Sequence, residues 1–314
     1  MERLRVFAGN SNSALAKEIC TYIGIELSPL EISRFSNDNH FVRVLTNVRE
    51  RDVFVVQSFT APVSNHIMEL FIIMDALRSA SAKRITAVIP YFSYARSDKK
   101  DAPRISITGR LMADLIKAAG ADRVLTMDLH SDAVHGFFSM PVDHLTAAPL
   151  IAAHIKETRD LSQAVAVATD AGGAKRVGKF AAHLNVPMAI IDKRRMGDTE
   201  VVQGLVVGEV QGKDAIIFDD EISTGGTLVA TAQTLRDAEV RSMVMGATHP
   251  VLCGNAPANL AASKVDQFVV TNTVRVDETK QMDRLDVISV APLMAEAIKR
   301  IHTGESVGAL FKST

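Results

Sequence analysis

Residues 218–227 read FDDEISTGGT, two adjacent carboxylates ahead of a run of hydroxyls and glycines. Glycines let backbone N–H groups converge, hydroxyls donate hydrogen bonds, and a helix beginning there adds partial positive charge. Ser223, Thr224, Gly225, Gly226 and Thr227 therefore have the composition of a phosphate cradle before a helix that starts at Leu228. No Gly-Lys-Ser/Thr follows, so the loop is not a Walker A motif, and it lacks the G-x-G-x-x-G dinucleotide spacing. Asp219 and Asp220 would repel a phosphate that they faced. They suit a neighbour that donates hydrogen bonds, and a ribose diol is such a group. The ligand so implied is a pentose, its hydroxyls against the acids and its 5-phosphate in the loop. Taken alone, the stretch fits a tight turn with solvated acids equally well.

Three other stretches bear on that choice. DAGGAKR (170–176) sets Asp170 and Ala171 before the pair Gly172 and Gly173, then a helix, the layout of a polyphosphate site. DLH (128–130) puts an acid and His130 at another strand end. DKRRMGD (192–198) supplies Lys193, Arg194 and Arg195 directly after a buried strand. Most charge runs are solvated faces; this one has the setting of a cationic lid. Acids for a metal, amides for phosphates and a cationic flap are the parts that phosphoryl transfer requires.

Short apolar runs must position these groups. VFVVQ (53–57), ITAVIP (85–90), VLTM (124–127), AVAVA (164–168), MAII (188–191), AIIF (215–218), MVMGATH (243–249) and FVV (268–270) read as strands buried on both faces. Segments of helical period lie between them. Ile107, Leu111, Leu115 and Ala118 share a face, with Gly120 as the stop, and Leu228, Ala232 and Leu235 share another. Alternating strands and amphipathic helices imply parallel βαβ units in a doubly wound, mostly parallel α/β fold. The pattern occurs twice. ITAVIPYFSYARSDKK resembles AIIFDDEISTGGT, and DRVLTMDLH resembles QAVAVATDAGG. Two similar domains are expected, 1–145 and 146–294, with a C-terminal segment of about 295–314 that could pack on the first.

Composition excludes other classes. The 314 residues are 47% hydrophobic and 23% charged, with a net charge of −1 and no basic tail, so neither nucleic acid nor membrane is an expected partner. Aromatics are 5% with no Trp, too few for base-stacking platforms. The start, MERLRVFAGNSNS, has no long apolar run and no small-residue cleavage pattern, so no secretory leader is expected. Cys20 and Cys253 are isolated, which suits free thiols in a reducing compartment and a cytoplasmic protein.

The chain resembles the ribose-phosphate pyrophosphokinase (phosphoribosyl pyrophosphate, PRPP, synthetase) family. RDVFVVQS (51–58), MELFIIMDAL (68–77), PYFSYARSD (90–98), AGADRVLTMDLH (119–130), GFFSMPVDHL (136–145), DAGGAKR, DKRR, DDEISTGGT, ATHPVL (247–252) and VTNT (270–273) carry the resemblance in the family's order. It implies two domains, each like a type I phosphoribosyltransferase. It implies transfer of the β,γ-diphosphoryl group of ATP to the anomeric hydroxyl of ribose 5-phosphate, with Mg²⁺ and a homo-oligomer, commonly a hexamer. By the same resemblance, Asp219, Asp220 and residues Ser223 to Thr227 hold ribose 5-phosphate, and Asp170 to Gly173 form the pyrophosphate loop. Asp170 and His130 serve Mg²⁺, with hydrogen bonding to phosphate as the other role open to His130. Lys193 and Arg195 close over the triphosphate; Phe35, Asn37, Asn39, Arg96, Ser97 and His130 meet ATP.

The chain departs from the family pattern in places. Asn37 and Asn39 stand where acids are common beside the adenine, Ser97 replaces a Gln, and Ser223 replaces an acid in the phosphate loop. Arg49 and Ser81 fit a regulatory surface in which Asn47 and Gly308 stand for hydroxyl residues. A catalytically silent PRPP-sensing homologue is the alternative; retention of His130, Asp170, Lys193 and Arg195 argues against it.

Overall fold

The computed structural model describes residues 2–192 and 204–311. The chain divides into two units, one of Met1–Thr146, Thr273–Arg275 and Ser289–Ser313, the other of Ala147–Asn272 and Val276–Ile288. Each has its own apolar core.

The first unit holds β1 (Leu4–Ala8), α1 (Ser13–Ile23), β2 (Leu30–Arg34), β3 (His40–Val44), β4 (Asp52–Val56), α2 (Val63–Ser79), β5 (Arg84–Ile89), α3 (Thr108–Ala118), β6 (Arg123–Met127) and β7 (Val142–Leu145). Its five-stranded sheet runs β1-β4-β5-β6-β7, parallel throughout. β2 and β3 form a separate antiparallel hairpin. DVFVV of β4 is buried at every position, as a central strand covered on both faces requires.

The second unit holds α4 (Ala148–Thr158), β8 (Ala164–Ala168), α5 (Ala174–Leu184), β9 (Met188–Asp192), β10 (Leu205–Val207), β11 (Asp214–Ile222), α6 (Gly226–Asp237), β12 (Ser242–Pro250), α7 (Ala256–Ala262), β13 (Gln267–Thr271) and β14 (Leu285–Ile288). Its sheet runs β10-β9-β8-β11-β12-β13-β14, with only β9–β10 antiparallel. From β8 the chain moves one way to β9, and from β11 the other way to β12. β8 and β11 therefore flank a topological switch point, where the loops at the strand ends diverge and leave a crevice. The sequence leaves the last helix open between the halves; α8 (Ala291–Thr303) belongs to the first unit.

Three expectations change. The apolar stripe of α3 has the right period and the wrong phase. Gly109, Met112, Ala113 and Ile116 are buried, whereas Leu111 and Leu115 are 45% and 38% exposed. Gly109 decides it. A Cβ there would lie 3.3 Å from the carbonyl oxygens of Tyr94 and Ser97, so this face alone lets the helix come so near that loop. Second, β11 does not end at Phe218 but continues through both aspartates to Ile222. Third, strand order matches β4 with β11 and β1 with β8, not the β5–β11 and β6–β8 likeness of the sequence. An apolar strand followed by a polar loop is too generic over such short stretches to fix correspondence.

Candidate functional site at the β8/β11 switch point

Two loops leave the crevice of the second unit. After β8, Asp170 is exposed and its Oδ1 accepts the Gly173 N–H at 2.9 Å, closing the turn into α5. A Cβ on Gly172 would sit 3.2 Å from that same oxygen, tighter than an ordinary contact. After β11, Gly225 precedes α6 with φ 77°, a left-handed conformation that favours glycine. A Cβ there would also meet Leu260 Cδ1 at 3.0 Å and Asn259 Cβ at 3.2 Å. Asn259 Nδ2 donates to the Thr224 carbonyl at 2.7 Å and steadies the loop from α7. Beside Gly226 the space is open, with only Thr224 Oγ1 within reach of an added Cβ, at 3.8 Å. Thr224, Gly226 and Thr227 are exposed, and no side chain caps the start of α6. A helix start of this kind offers its amides to an anion. Ser223 Oγ lies 3.3 Å from Cys253 Sγ. Cys253 is exposed; the other thiol, Cys20, is buried and pushed up to about 11 by that burial.

The acid pair is not symmetric. Asp219 keeps 30% of its side chain exposed, Asp220 only 3%. Arg176 on α5 donates from Nη1 to Asp219 Oδ1 at 2.8 Å and to Asp220 Oδ1 as well. Burial, and then Asp220 beside it, push the Asp219 carboxyl up to about 7, with Arg176 pulling the other way. The strand can carry two adjacent acids because a cation from the covering helix meets both. Asp220 is thus a buried partner of Arg176.

The remaining predicted residues lie in the first unit. Phe35, Asn37 and Asn39 form the exposed tip of the β2–β3 hairpin, where Phe35 N–H donates to the Asn39 carbonyl at 2.9 Å and Asn37 Oδ1 accepts the Asn39 N–H at 3.3 Å. The Phe35 ring stands edge-on to Phe41 at 5.6 Å. Arg96 and His130 are exposed on the segments after β5 and β6, neighbouring strands of the sheet. Ser97 has a structural task. Its hydroxyl donates to the Ser106 carbonyl at 3.1 Å and accepts the Thr108 N–H at 3.1 Å, at the start of α3. Lys193 and Arg195 lie outside the described residues.

Comparison with known proteins agrees with this arrangement. Residues 4–120 match the model for the N-terminal domain of ribose phosphate pyrophosphokinase, and residues 204–312 match the phosphoribosyl synthetase-associated domain. A ribose-phosphate pyrophosphokinase of Deinococcus radiodurans is 50% identical over 313 residues, covering 98% of each chain. One of Caldanaerobacter subterraneus is 46% identical, again with 98% of each chain covered. The chain belongs to the ribose-phosphate pyrophosphokinase family. A crystal structure of phosphoribosylpyrophosphate synthetase from Mycobacterium smegmatis superposes with a TM-score of 0.92 at 40% identity, covering 96% of this chain and 99% of that one.

A pyrophosphokinase works with a divalent metal, and the donor set can be tested for it. Among the described residues no three His, Cys, Asp or Glu side chains gather into a metal cage. Asp170 instead presents a single exposed carboxylate with one oxygen held by the Gly173 amide. That suits a hard ion that keeps its waters and is held by one or two carboxylates together with substrate phosphates. Sequence reasoning about this pyrophosphokinase missed Arg176. The spacing alone does not reveal it: Arg176 and Phe180 are one helical turn apart and Phe218 and Asp220 share a face of β11, but only the Phe180–Phe218 stack shows that the two pairs meet.

Proposed function

We propose that the crevice at the ends of β8 and β11 seats ribose 5-phosphate in this enzyme, a ribose-phosphate diphosphokinase. It transfers the β,γ-diphosphoryl group of ATP to the anomeric hydroxyl of that sugar, giving PRPP and AMP. One observation carries the placement: β11 runs from an accessible acid, Asp219, into a glycine-turned loop and an uncapped helix start. In this reading Asp219 accepts from the ribose hydroxyls. Ser223, Thr224 and Thr227 and the amides of Gly225 and Gly226 hold the 5-phosphate. The loop from Asp170 to Gly173 faces the diphosphoryl group, and the constraint on Gly172 supports it, because a side chain there would crowd Asp170.

Asp170 and His130 would hold Mg²⁺, which when bound offsets charge on the diphosphoryl oxygens. Lys193 and Arg195 would add positive charge at the bridging oxygen as it becomes a leaving group. ATP would lie against Phe35, Asn37, Asn39 and Arg96. Since Ser97 already serves α3, polar contact with the nucleotide falls to its neighbour Arg96. The exposed hairpin tip supports a homo-oligomer, a hexamer in our reading, in which Phe35 reaches the ATP of a neighbouring copy. No described helix is long and apolar enough to cross a membrane; we place the enzyme in the cytoplasm.

Incubation with ATP, Mg²⁺ and ribose 5-phosphate should yield AMP and PRPP in equal amounts. Formation of ADP would mean that a single phosphoryl group moves, and no product at any phosphate concentration would defeat the assignment. Asp219→Asn should raise KM for ribose 5-phosphate about tenfold or more and leave KM for ATP nearly unchanged, as expected when one charged acceptor is lost.

A further inference from the structure

The sequence treats Asp219 and Asp220 as equals, and the fold does not. Phe180 of α5 stacks on Phe218 of β11, centroids 4.0 Å apart and planes 8° from parallel. That contact sets the helix on the strand. One turn back along α5 stands Arg176, and two residues on along β11, on the same face, stands Asp220. The guanidinium consequently meets Asp220 where the sheet is covered. Arg176 Nη1 also reaches Asp219 Oδ1 at 2.8 Å, and the Asp220 N–H donates to the same oxygen at 2.9 Å. Asp219 is therefore held at Oδ1 by two donors.

We propose that Arg176 is a positioning residue for this reaction: it pins Asp220 as a buried anchor and turns Asp219 so that this acid alone meets the ribose hydroxyls. The proposal rests on the sugar seat argued above. Its physical basis is charge and shape. Two neighbouring carboxylates within a sheet repel, and the permanently charged guanidinium fork meets both through its Nη1. With 30% of its side chain exposed, Arg176 reaches the rim of the crevice, while Asp220 at 3% does not. Without the cation, Asp219 would lose one of the two donors that hold its Oδ1 and Asp220 would be left a buried charge lacking this pair.

The test is a set of single variants and one double variant, assayed with ATP, Mg²⁺ and ribose 5-phosphate. Arg176→Gln should raise KM for ribose 5-phosphate about tenfold or more, with KM for ATP changed less than about twofold, as loss of one partner of a largely buried charge pair implies. Arg176→Lys keeps the charge without the fork and should recover part of that loss; it also answers the question if the glutamine variant fails to fold. Asp220→Asn keeps an acceptor and should cost less than about threefold in KM, well below Asp219→Asn. Combined with Asp220→Asn, Arg176→Gln should cost less than the product of the two single effects. If Asp220→Asn raises KM as much as Asp219→Asn, or Arg176→Gln leaves it unchanged while Asp219→Asn raises it, the division of roles is wrong. If Asp219→Asn itself has no effect, the sugar seat is wrong and the inference falls with it.

Discussion

The two units are built to one plan and differ where it matters. β1-β4-β5-β6-β7 in the first repeats β8-β11-β12-β13-β14 in the second, strand for strand. Asp52 pairs with Leu4 in register and forms an ion pair with Arg84; Asp214 pairs with Ala164 and forms one with Arg241. Counting on from those aspartates, Gln57 and Ser58 fall where Asp219 and Asp220 fall. In the first unit that place is plugged. Gln57 Oε1 accepts from Ser11 Oγ at 2.7 Å, and its Nε2 donates to Glu69 Oε1 at 2.7 Å. Glu69 also accepts from the Asn10 amide at 2.6 Å and from Asn10 Nδ2 at 2.7 Å. A Cβ on Gly9 would lie 2.4 Å from Gln57 Oε1, so the backbone itself closes on the plug. In the second unit the same strand ends carry an acid held at one oxygen and an open helix start. The architecture is shared; only the side chains decide which crevice can take a ligand.

The largest effect should come from the connection that differs most. Between β9 and β10 the chain carries Lys193 and Arg195; between β2 and β3 it carries Phe35, Asn37 and Asn39. Lys193→Ala should lower turnover by about 10²–10³, the scale of one lost charge-stabilising group, with little change in ribose 5-phosphate affinity measured by calorimetry. Equal losses in both would remove the distinction between a group for the transition state and a group for binding. Next is the plug. Glu69→Ala takes the acceptor from the buried Gln57 Nε2 and from two part-buried Asn10 donors and should cost about 2–4 kcal/mol in denaturant unfolding. Activity per folded molecule should stay near that of the parent, since the first unit's crevice holds no substrate in this reading. Gly225→Ala should cost less, about 1–2 kcal/mol for the left-handed backbone. Yet it should raise KM for ribose 5-phosphate, because relief of the contact with Leu260 moves the loop.

Central strands were legible because their β-branched runs are covered on both faces, as in AVAVA of β8 and VFVV of β4. The hairpin strands LEISR and HFVRV were not, since no position of either is fully buried and polar residues break up the apolar signal. β1 is covered, but Arg5 breaks its apolar run, and β7, β10 and β14 are edge strands of three or four residues. The glycine-turned loop before α6 was legible from composition, because paired glycines among hydroxyl residues end a strand and open a helix, but composition alone left its ligand undecided. Arg176 could not. Its role depends on α5 lying across β11, a pairing distant in sequence that only the Phe180–Phe218 stack makes visible. The unit 1 plug was hidden for the same reason: Asn10, Gln57 and Glu69 meet only once three elements are folded.

The smallest effect is the most specific to the open crevice. The Asp219 carboxyl is raised to about 7 from an ordinary 3.8, by burial first and Asp220 second. A raised acid holds its proton more tightly in the folded chain than in the unfolded one. Its contribution to stability is therefore complete below about pH 4 and is lost as pH rises toward and through 7. Asp219→Asn, which cannot titrate, should raise the melting temperature more at pH 8 than at pH 5.5. Affinity for ribose 5-phosphate in the parent should move the opposite way, strengthening as pH rises through 7, because only the ionised carboxylate can accept from both hydroxyls. Stability and binding would then trade against each other at one residue. The same substitution logic applied to Gln57, which carries no proton to lose, should give a pH-independent change. A melting profile for Asp219→Asn parallel to that of the parent from pH 5.5 to 8 would remove the electrostatic difference between the two crevices.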